Sequence, residues 1–384
     1  MDVFQLILPI CGCVRRQSRA GASSLVLGIE TSCDDTGAAV LDLNGNILGE
    51  SLHSQKEVHL KTGGIIPTVA QQLHREHIER VVNEALALSG VSPQQLSAVA
   101  TTVKPGLALS LGIGLEFSRR FVTQHRKPFI PIHHMEAHAL TARMTEQVEF
   151  PFLVLLISGG HALLAVARGV DDFLLLGQSL DEAPGDAMDK VARRLSLTKH
   201  PLCSPLSGGQ ALELLAQSGD RTSFSFTTPM GQSLDCNFSF AGLRNQVSLV
   251  IEKKEEEEGV APGSLLSCVN DLAASVQHTV ACHLAKRTHR AVVSGGVASN
   301  QYIRKALSLI TEREGLRLLC PPPKLCTDNG IMIQSVCINP LTDIVLSLLH
   351  VDPVLFLRAP LGSDLTAEVR AAAIKVPPVK MRIT

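Results

Sequence analysis

The chain has 384 residues, 45% of them apolar, which is enough for a large core and points to two domains rather than one. Charged residues make up 18% with a formal net charge of -1, so no global basic field announces a nucleic-acid binder. Aromatics are 3%, with no Trp and a single Tyr, so platforms for stacking single-stranded bases are scarce.

The first 23 residues stand apart. They hold Arg15, Arg16 and Arg19, with Ser18 and Ser23 and a single acid, Asp2. An Arg-rich, Ser-containing, acid-poor start has the composition of a mitochondrial presequence. A disordered tail or a secretory signal beginning at Val3 are the plainer alternatives. The ten cysteines lack C-x-x-C pairs, so no disulfide framework supports secretion. No apolar run is long enough for a membrane span: the best, 341–357, is broken by Asp343, His350 and Asp352-Pro353.

From residue 24 the pattern is strand-like. Residues 24–29 are rich in Leu and Val, and 38–43 alternate. Asn44-Gly45 signals a type I′ hairpin, and 47–51 reads as a third strand. Between the first two strands lies a polar loop holding Cys33, Asp34 and Asp35. Gly63-Gly64 and Pro67 form a loop, and 70–89 carries apolar residues at helical spacing. Residues 98–103 read as a buried strand, 107–124 as a small-residue helix, and 129–132 as another strand. The same opening then recurs about 130 residues later, with strands at 151–157, 162–167 and 173–179. A repeat at that spacing is domain duplication, and periodicity by itself gives a two-lobed α/β protein.

Further on, 180–190 leads into an amphipathic helix reaching about residue 197. Ser207-Gly208-Gly209 opens a helix carrying Glu213. Residues 224–226 and 238–240 look strand-like, and the charge run 253–258 reads as a solvated insertion. A long helix spans 265–289. A short strand at 291–293 precedes Ser294-Gly295-Gly296, which opens a helix holding Ser299 and Asn300. Residues 316–319 read as a strand, and 326–330 as a polar turn before a last helix.

Chemistry concentrates at His134 and His138. Four apart on a helix, their imidazoles share one face and can share one metal ion. Glu136 falls between them and points away, unlike the acid of a zinc-protease helix. Asp328, before a helix, is by itself an ordinary N-cap, yet it supplies the carboxylate the pair lacks. Two His and one carboxylate leave positions open, as in a catalytic site. The three Ser-Gly-Gly turns at 158–160, 207–209 and 294–296 suit close approach to a phosphate. Asp186 and Asp189 are i, i+3 neighbours, able to meet ribose hydroxyls or the helix dipole. Basic clusters at Arg119-Arg120, Arg126-Lys127, Lys190/Arg193/Arg194 and 286–290 read as ordinary solvated faces rather than a phosphate track.

Eight blocks occur in order: IETSCDDT (29–36), KPGLALSLG (104–112), HMEAH (134–138), LLISGGH (155–161), DKVARRLSL (189–197), FSFAGL (238–243), SGGVASN (294–300) and CTDNGIMI (326–333). Together they resemble the tRNA N6-adenosine threonylcarbamoyltransferase family, formerly called O-sialoglycoprotein endopeptidase, in its mitochondrial animal form. The resemblance implies the duplicated actin-like fold shared with sugar kinases and heat-shock chaperones, with two lobes around a central cleft. It divides the chain into a presequence (1–23), a first lobe (24–134), a second lobe (135–327), and a closing helix with an atypical tail (328–384).

It also implies transfer of a threonylcarbamoyl group from threonylcarbamoyl-adenylate, made by a separate synthase, to N6 of the adenosine 3′ of the anticodon in mitochondrial tRNAs reading codons that begin with A. The implied metal ligands are His134, His138 and Asp328, holding one divalent ion per subunit: zinc, iron or magnesium. The implied adenylate contacts are Ile157, Ser158, Gly159, Gly160, His161, Asp189, Gly209, Glu213, Ser299, Asn300 and Thr327. A homodimer in the mitochondrion, with no membrane segment, completes the expectation.

Acyl transfer from a mixed anhydride needs no Ser or Cys nucleophile, and the acids beside Cys33 disfavour its thiolate. Three departures from the family stand out. Lys104 replaces a usual Gly. The link between the long helix and the strand at 291 is almost absent. After Ile333 the pattern is lost, so apolar residues beyond 340 are expected to be partly exposed. A metal-dependent peptidase, a nucleotide-dependent kinase and a weak scaffold of the same fold are the rival readings.

Overall fold

The computed structural model describes residues 4–9, 24–42, 44–62, 64–146, 148–292, 301–313, 318–319, 325, 328–336, 359–373 and 375. Two five-stranded sheets form its frame. The first holds β2 (Leu25–Glu30), β3 (Asp35–Asp42), β4 (Ile47–Ser54), β5 (Ala98–Lys104) and β6 (Phe129–His133), in the order β4-β3-β2-β5-β6. β2, β3 and β4 are an antiparallel meander, and β5 and β6 run parallel to β2. Nearly all of β2, β3 and β5 is buried. That explains their continuous apolar runs, since both faces are covered. The β3–β4 loop spans 43–46 rather than the two-residue turn that Asn44-Gly45 suggests. The Asp42 carboxylate organises it, accepting from the Asn44 and Asn46 amides at 2.8 and 2.9 Å.

α1 (Lys56–Thr62) has no counterpart in the sequence reading. α2 (Pro67–Ser89) opens on proline and closes on Gly90, in the left-handed region at φ 66. α3 (Ala108–His125) joins β5 to β6. α2 and α3 pack Ile78, Val81, Val82 and Ile113 against Leu27, Ile29 and Val40 of the sheet.

The second sheet has the order β1-β7-β8-β9-β10. β7 (Phe152–Ile157), β8 (Ala162–Ala167) and β9 (Phe173–Gln178) repeat the meander. β1 (Phe4–Pro9), within the stretch read as a presequence, pairs antiparallel with β7. β10 (Ser363–Asp364) pairs parallel with β9. Over this sheet lie α5 (Pro184–Arg194), α6 (Gly208–Ala216), α7 (Ala241–Glu258), α8 (Val269–Val292) and α9 (Gln301–Arg313). The result is a duplicated α/β plan, each half opening on a three-strand antiparallel meander, as expected of the two-lobed fold.

Several expectations change. Residues 224–226 form no strand, and Phe238 makes a lone bridge to Ser179. The charge run 253–258 is no insertion but the end of α7, where Glu255 is buried and paired with Arg194 through two bonds of 2.7 Å. The predicted strand at 291–293 is displaced, because α8 continues through Val292. A two-residue link cannot turn a helix back into a parallel strand, so helical bonding simply persists. The turn at 294–296 lies outside the described residues, as do the apolar stretches 344–349 and 354–357. The tail is docked where described: Leu361 is 1% exposed, and α11 (Thr366–Ala372) follows β10.

Candidate metal centre and adjoining cleft

β6 delivers the chain to α4 (His134–Leu140). The His133 side chain caps this helix, accepting from the Met135 amide at 3.2 Å. α4 is wedged between the sheets. Met135, Ala139 and Leu140 join the core beneath β7 and β8, whereas Ala137 joins a cluster of β2, β5, β6 and Met332. Burying both sides of a short helix leaves His134 and His138 5% and 2% exposed.

Asp328 arrives from the other end of the chain, just before α10 (Gly330–Ser335). Close backbone packing fixes its position. A Cβ on Gly330 would stand 2.4 Å from the Ala38 carbonyl carbon, and one on Gly37 would stand 2.7 Å from the Gly330 nitrogen. Asn329, not Asp328, caps α10, its side-chain oxygen accepting from the Met332 amide at 2.9 Å. Asp328 is thereby free to face the histidines.

Its Oδ1 lies 3.1 Å from His138 Nε2 and 3.7 Å from His134 Nε2. The two rings are 4.5 Å apart and perpendicular, and one ligand atom from each of the three residues falls within 4.8 Å of the others. On its far side, His134 Nδ1 is 3.1 Å from Ser32 Oγ and 3.4 Å from Glu30 Oε2. A carboxylate behind a histidine fixes the ring so that Nε2 faces the ion. Glu30 is itself held by the Thr102 hydroxyl and the Ser32 amide. Convergent, oriented donors of this kind fit a divalent cation.

The electrostatics agree. Burial works against charge on His134, but Asp328 and Glu30 outweigh it and lift the imidazole to about 9. Burial and the neighbouring His134 hold His138 low. Burial opposes ionisation of Asp328, yet the two imidazoles keep it well below the usual carboxylate range. A buried carboxylate crowded against two imidazoles is a setting that suits a bound cation. Glu136 takes no part: burial pushes it up to about 7, with Lys104 and Asp171 as neighbours. Cys33 is raised well above an ordinary thiol, by burial first and Asp34 next, so it is no nucleophile.

A cavity of about 490 Å³, lined by none of His134, His138 and Asp328, opens between helices of the two halves. Of the sequence-derived adenylate contacts, Ile157, Ser158, Gly159, Asp189, Gly209 and Glu213 line it. Gly160 and His161 do not, but they belong to the same turn: both amides donate to Ser158 Oγ, at 3.1 and 2.9 Å. His161 stands close enough to the metal histidines that burial and their charge hold it near 4. Asp189 accepts from the Gly209 amide at 3.0 Å and so ties the first turn of α6 to α5. Asp186 is turned away to Lys190, at 2.7 Å, so the acid pair read at i, i+3 is not a pair. Ser299, Asn300 and Thr327 lie outside the described residues.

The first half of the chain supplies Asp34, Lys56, His59, Leu60 and Lys61 to the same cavity, and Lys56 Nζ donates across it to Gln210 Oε1 at 3.2 Å. The α1 residues escaped the sequence reading because two helical turns are too few for periodicity to register. Their one signal was the Gly63-Gly64 loop behind them.

The pattern that defines the tRNA N6-adenosine threonylcarbamoyltransferase family matches residues 46–335. The chain is 62% identical to a Danio rerio protein called tRNA N6-adenosine threonylcarbamoyltransferase, mitochondrial, over 99% of both chains. To the Homo sapiens protein of the same name it is 60% identical, over 94% of this chain and 91% of that one. Among solved structures, component A of (R)-2-hydroxyglutaryl-CoA dehydratase from Acidaminococcus fermentans is similar at a TM-score of 0.44 and 12% identity, over 83% of this chain and 97% of that one. No helix among the described residues is long and apolar enough to cross a membrane. On the family match over most of its length and these high identities, this chain belongs to the tRNA N6-adenosine threonylcarbamoyltransferase family, as a mitochondrial member.

Proposed function

We propose that this chain transfers threonylcarbamoyl from threonylcarbamoyl-adenylate to N6 of the adenosine 3′ of the anticodon, in mitochondrial tRNAs reading codons that begin with A. The observation that carries the reading is the buried convergence of His134, His138 and Asp328 in a chain whose two halves enclose a cavity walled by the Ser158 and Ser207 glycine turns. The division of labour follows from the chemistry of the residues. The Ser158–His161 turn and the amide-rich start of α6 receive the adenylate's polar parts. Asp189, raised by burial but steadied by the Gly209 amide, faces the ribose. Ser299, Asn300 and Thr327 complete the adenylate contacts by family resemblance.

His134, His138 and Asp328 hold a single divalent ion, with zinc, iron and magnesium as candidates. When bound, such an ion acts as a Lewis acid toward carbonyl or phosphate oxygen. Glu30 and Ser32 hold His134 in the orientation that ligation needs. Glu136 has Lys104 and Asp171, not the three ligands, as its charged neighbours, which argues against its being the base of a peptidase.

Residues 24–134 and 135–327 form the two lobes, with the closing helix and tail at 328–384. Residues 1–23 act as the import presequence, whose removal uncovers the outer edge of β7. A separate synthase supplies the adenylate, and homodimerisation is carried from the family resemblance. The test is transfer to tRNA with and without chelator, in wild type and His138→Ala. Loss of transfer and of bound metal in the variant, with an unchanged circular-dichroism spectrum, is expected. Full transfer by metal-free His138→Ala sinks the reading.

A further inference from the structure

Residues 359–373 lie beyond the stretch 46–335 that the family pattern matches, although the Danio rerio relative aligns over 99% of both chains. Leu361 is 1% exposed and sits in one core with Met135, Ala139 and Leu140 of the metal helix α4. Gly362 follows at φ +67. A Cβ there would lie 2.0 Å from the Phe173 carbonyl oxygen, so only glycine lets the chain pass this close to β9. Ser363 and Asp364 then pair with Leu174 and Leu175, and the Leu365 amide donates to the Leu175 carbonyl at 2.9 Å. α11 anchors the far end: Val369 packs on the larger core, and Arg370 Nε lies 3.4 Å from Asp235 Oδ2. At the near end, the backbone of Ala359 and Pro360 approaches the ring of His133, the cap of α4.

We propose that residues 359–373 are a strap that holds α4 against the second sheet, making Leu361 a positioning residue for His134 and His138. The physical reason is the shortness of α4. Seven residues make about two turns, too few to hold a helix in place by its own hydrogen bonds. Its orientation therefore comes from what covers it. Met135, Ala139 and Leu140 project to the side opposite Ala137, and Leu361 is part of their cover. A helix that rocks on that side would swing both imidazoles away from Asp328.

The proposal rests on the metal reading, and the test separates the two. Co²⁺ is titrated into the full chain and its ligand-field absorbance followed, for wild type, Leu361→Ala, Leu361→Met, Gly362→Val, Leu212→Ala and His138→Ala. Leu361→Ala and Gly362→Val should each weaken Co²⁺ about tenfold, the scale seen when groups supporting a ligand are lost. Leu361→Met should restore it. Leu212→Ala, in the other core, should lower the melting temperature comparably and leave Co²⁺ affinity unchanged. If Gly362→Val does not fold, Leu361→Ala carries the test, since it leaves the backbone course intact. Co²⁺ affinity falling no more in Leu361→Ala than in Leu212→Ala, with His138→Ala losing the ion, overturns the strap alone. Undiminished Co²⁺ binding in His138→Ala overturns the metal reading with it.

Discussion

The two halves of the chain begin alike and end differently. In each, three antiparallel strands fold into a meander, β2-β3-β4 and β7-β8-β9. Beside β2 the first sheet continues with a parallel strand, β5, reached through α2. Beside β7 the second sheet continues with β1, antiparallel and drawn from the far N-terminus. The difference teaches which part of a sheet is local. A meander needs only short turns, so each half makes its own. A parallel strand needs a crossover of a dozen or more residues. The stretch before β5 has that length, whereas the two residues after residue 288 do not. Helix α8 consumes them instead, and the β7 edge, with its unpaired amides and carbonyls, takes another strand.

The largest effect should come where the halves are joined. Gly330→Val places a branched side chain where even a Cβ would meet the Ala38–Ala39 backbone at 2.4 to 2.5 Å. It should cost about 4 kcal/mol or more and pull Asp328 from the histidines. Calorimetry and metal content check this. Unchanged metal content would show that Asp328 is held by something other than the α10 approach.

Next is the pair that fixes α7 to α5 in the second half. Arg194 and burial act oppositely on Glu255, and the guanidinium wins, holding it down to about 2. A folded pKa below the unfolded value stabilises above the unfolded pKa, about 4.3, and the gain is lost as pH falls to about 2. Glu255→Gln should cost about 2 kcal/mol at neutral pH, discounted for the part-exposed Arg194. The gap to wild type should narrow as pH falls from about 4 to about 2. A gap that widens on acidification refutes the pairing.

A smaller effect sharpens the comparison itself. Deleting residues 1–9 should speed hydrogen exchange at the β7 amides that face β1, while the β2 amides keep their protection. Equal protection before and after would mean that β1 adds nothing to the second sheet. The smallest is Lys56→Ala, which cuts the one cross-cavity bond from α1 to Gln210. Melting should hardly move, and KM for the adenylate should rise about fivefold, the worth of one hydrogen bond. A fall in kcat with KM unchanged would reassign Lys56 to the chemistry.

What the sequence determined by itself was local or patterned. Strands β2 to β9 were legible as short apolar runs, continuous or alternating, bounded by turn residues, and helices α2 to α6 mainly by apolar spacing near 3.6. The pairing of His134 with His138 was legible because four residues make a turn. Asp328 could be matched to them by chemistry and by the order of family blocks, but its freedom from the N-cap role was decided by Asn329. Tertiary structure alone decided the rest. A charge run became the end of α7 because Arg194, 61 positions away, neutralises Glu255. α1 became a wall of the cleft because the second half lies opposite it. Residues 359–373, unreadable in sequence, found a place because Leu361 shares a core with α4 and Gly362 lets the chain run close to β9. Contacts between residues far apart in the chain leave no period in the sequence, and these are the contacts that set the site.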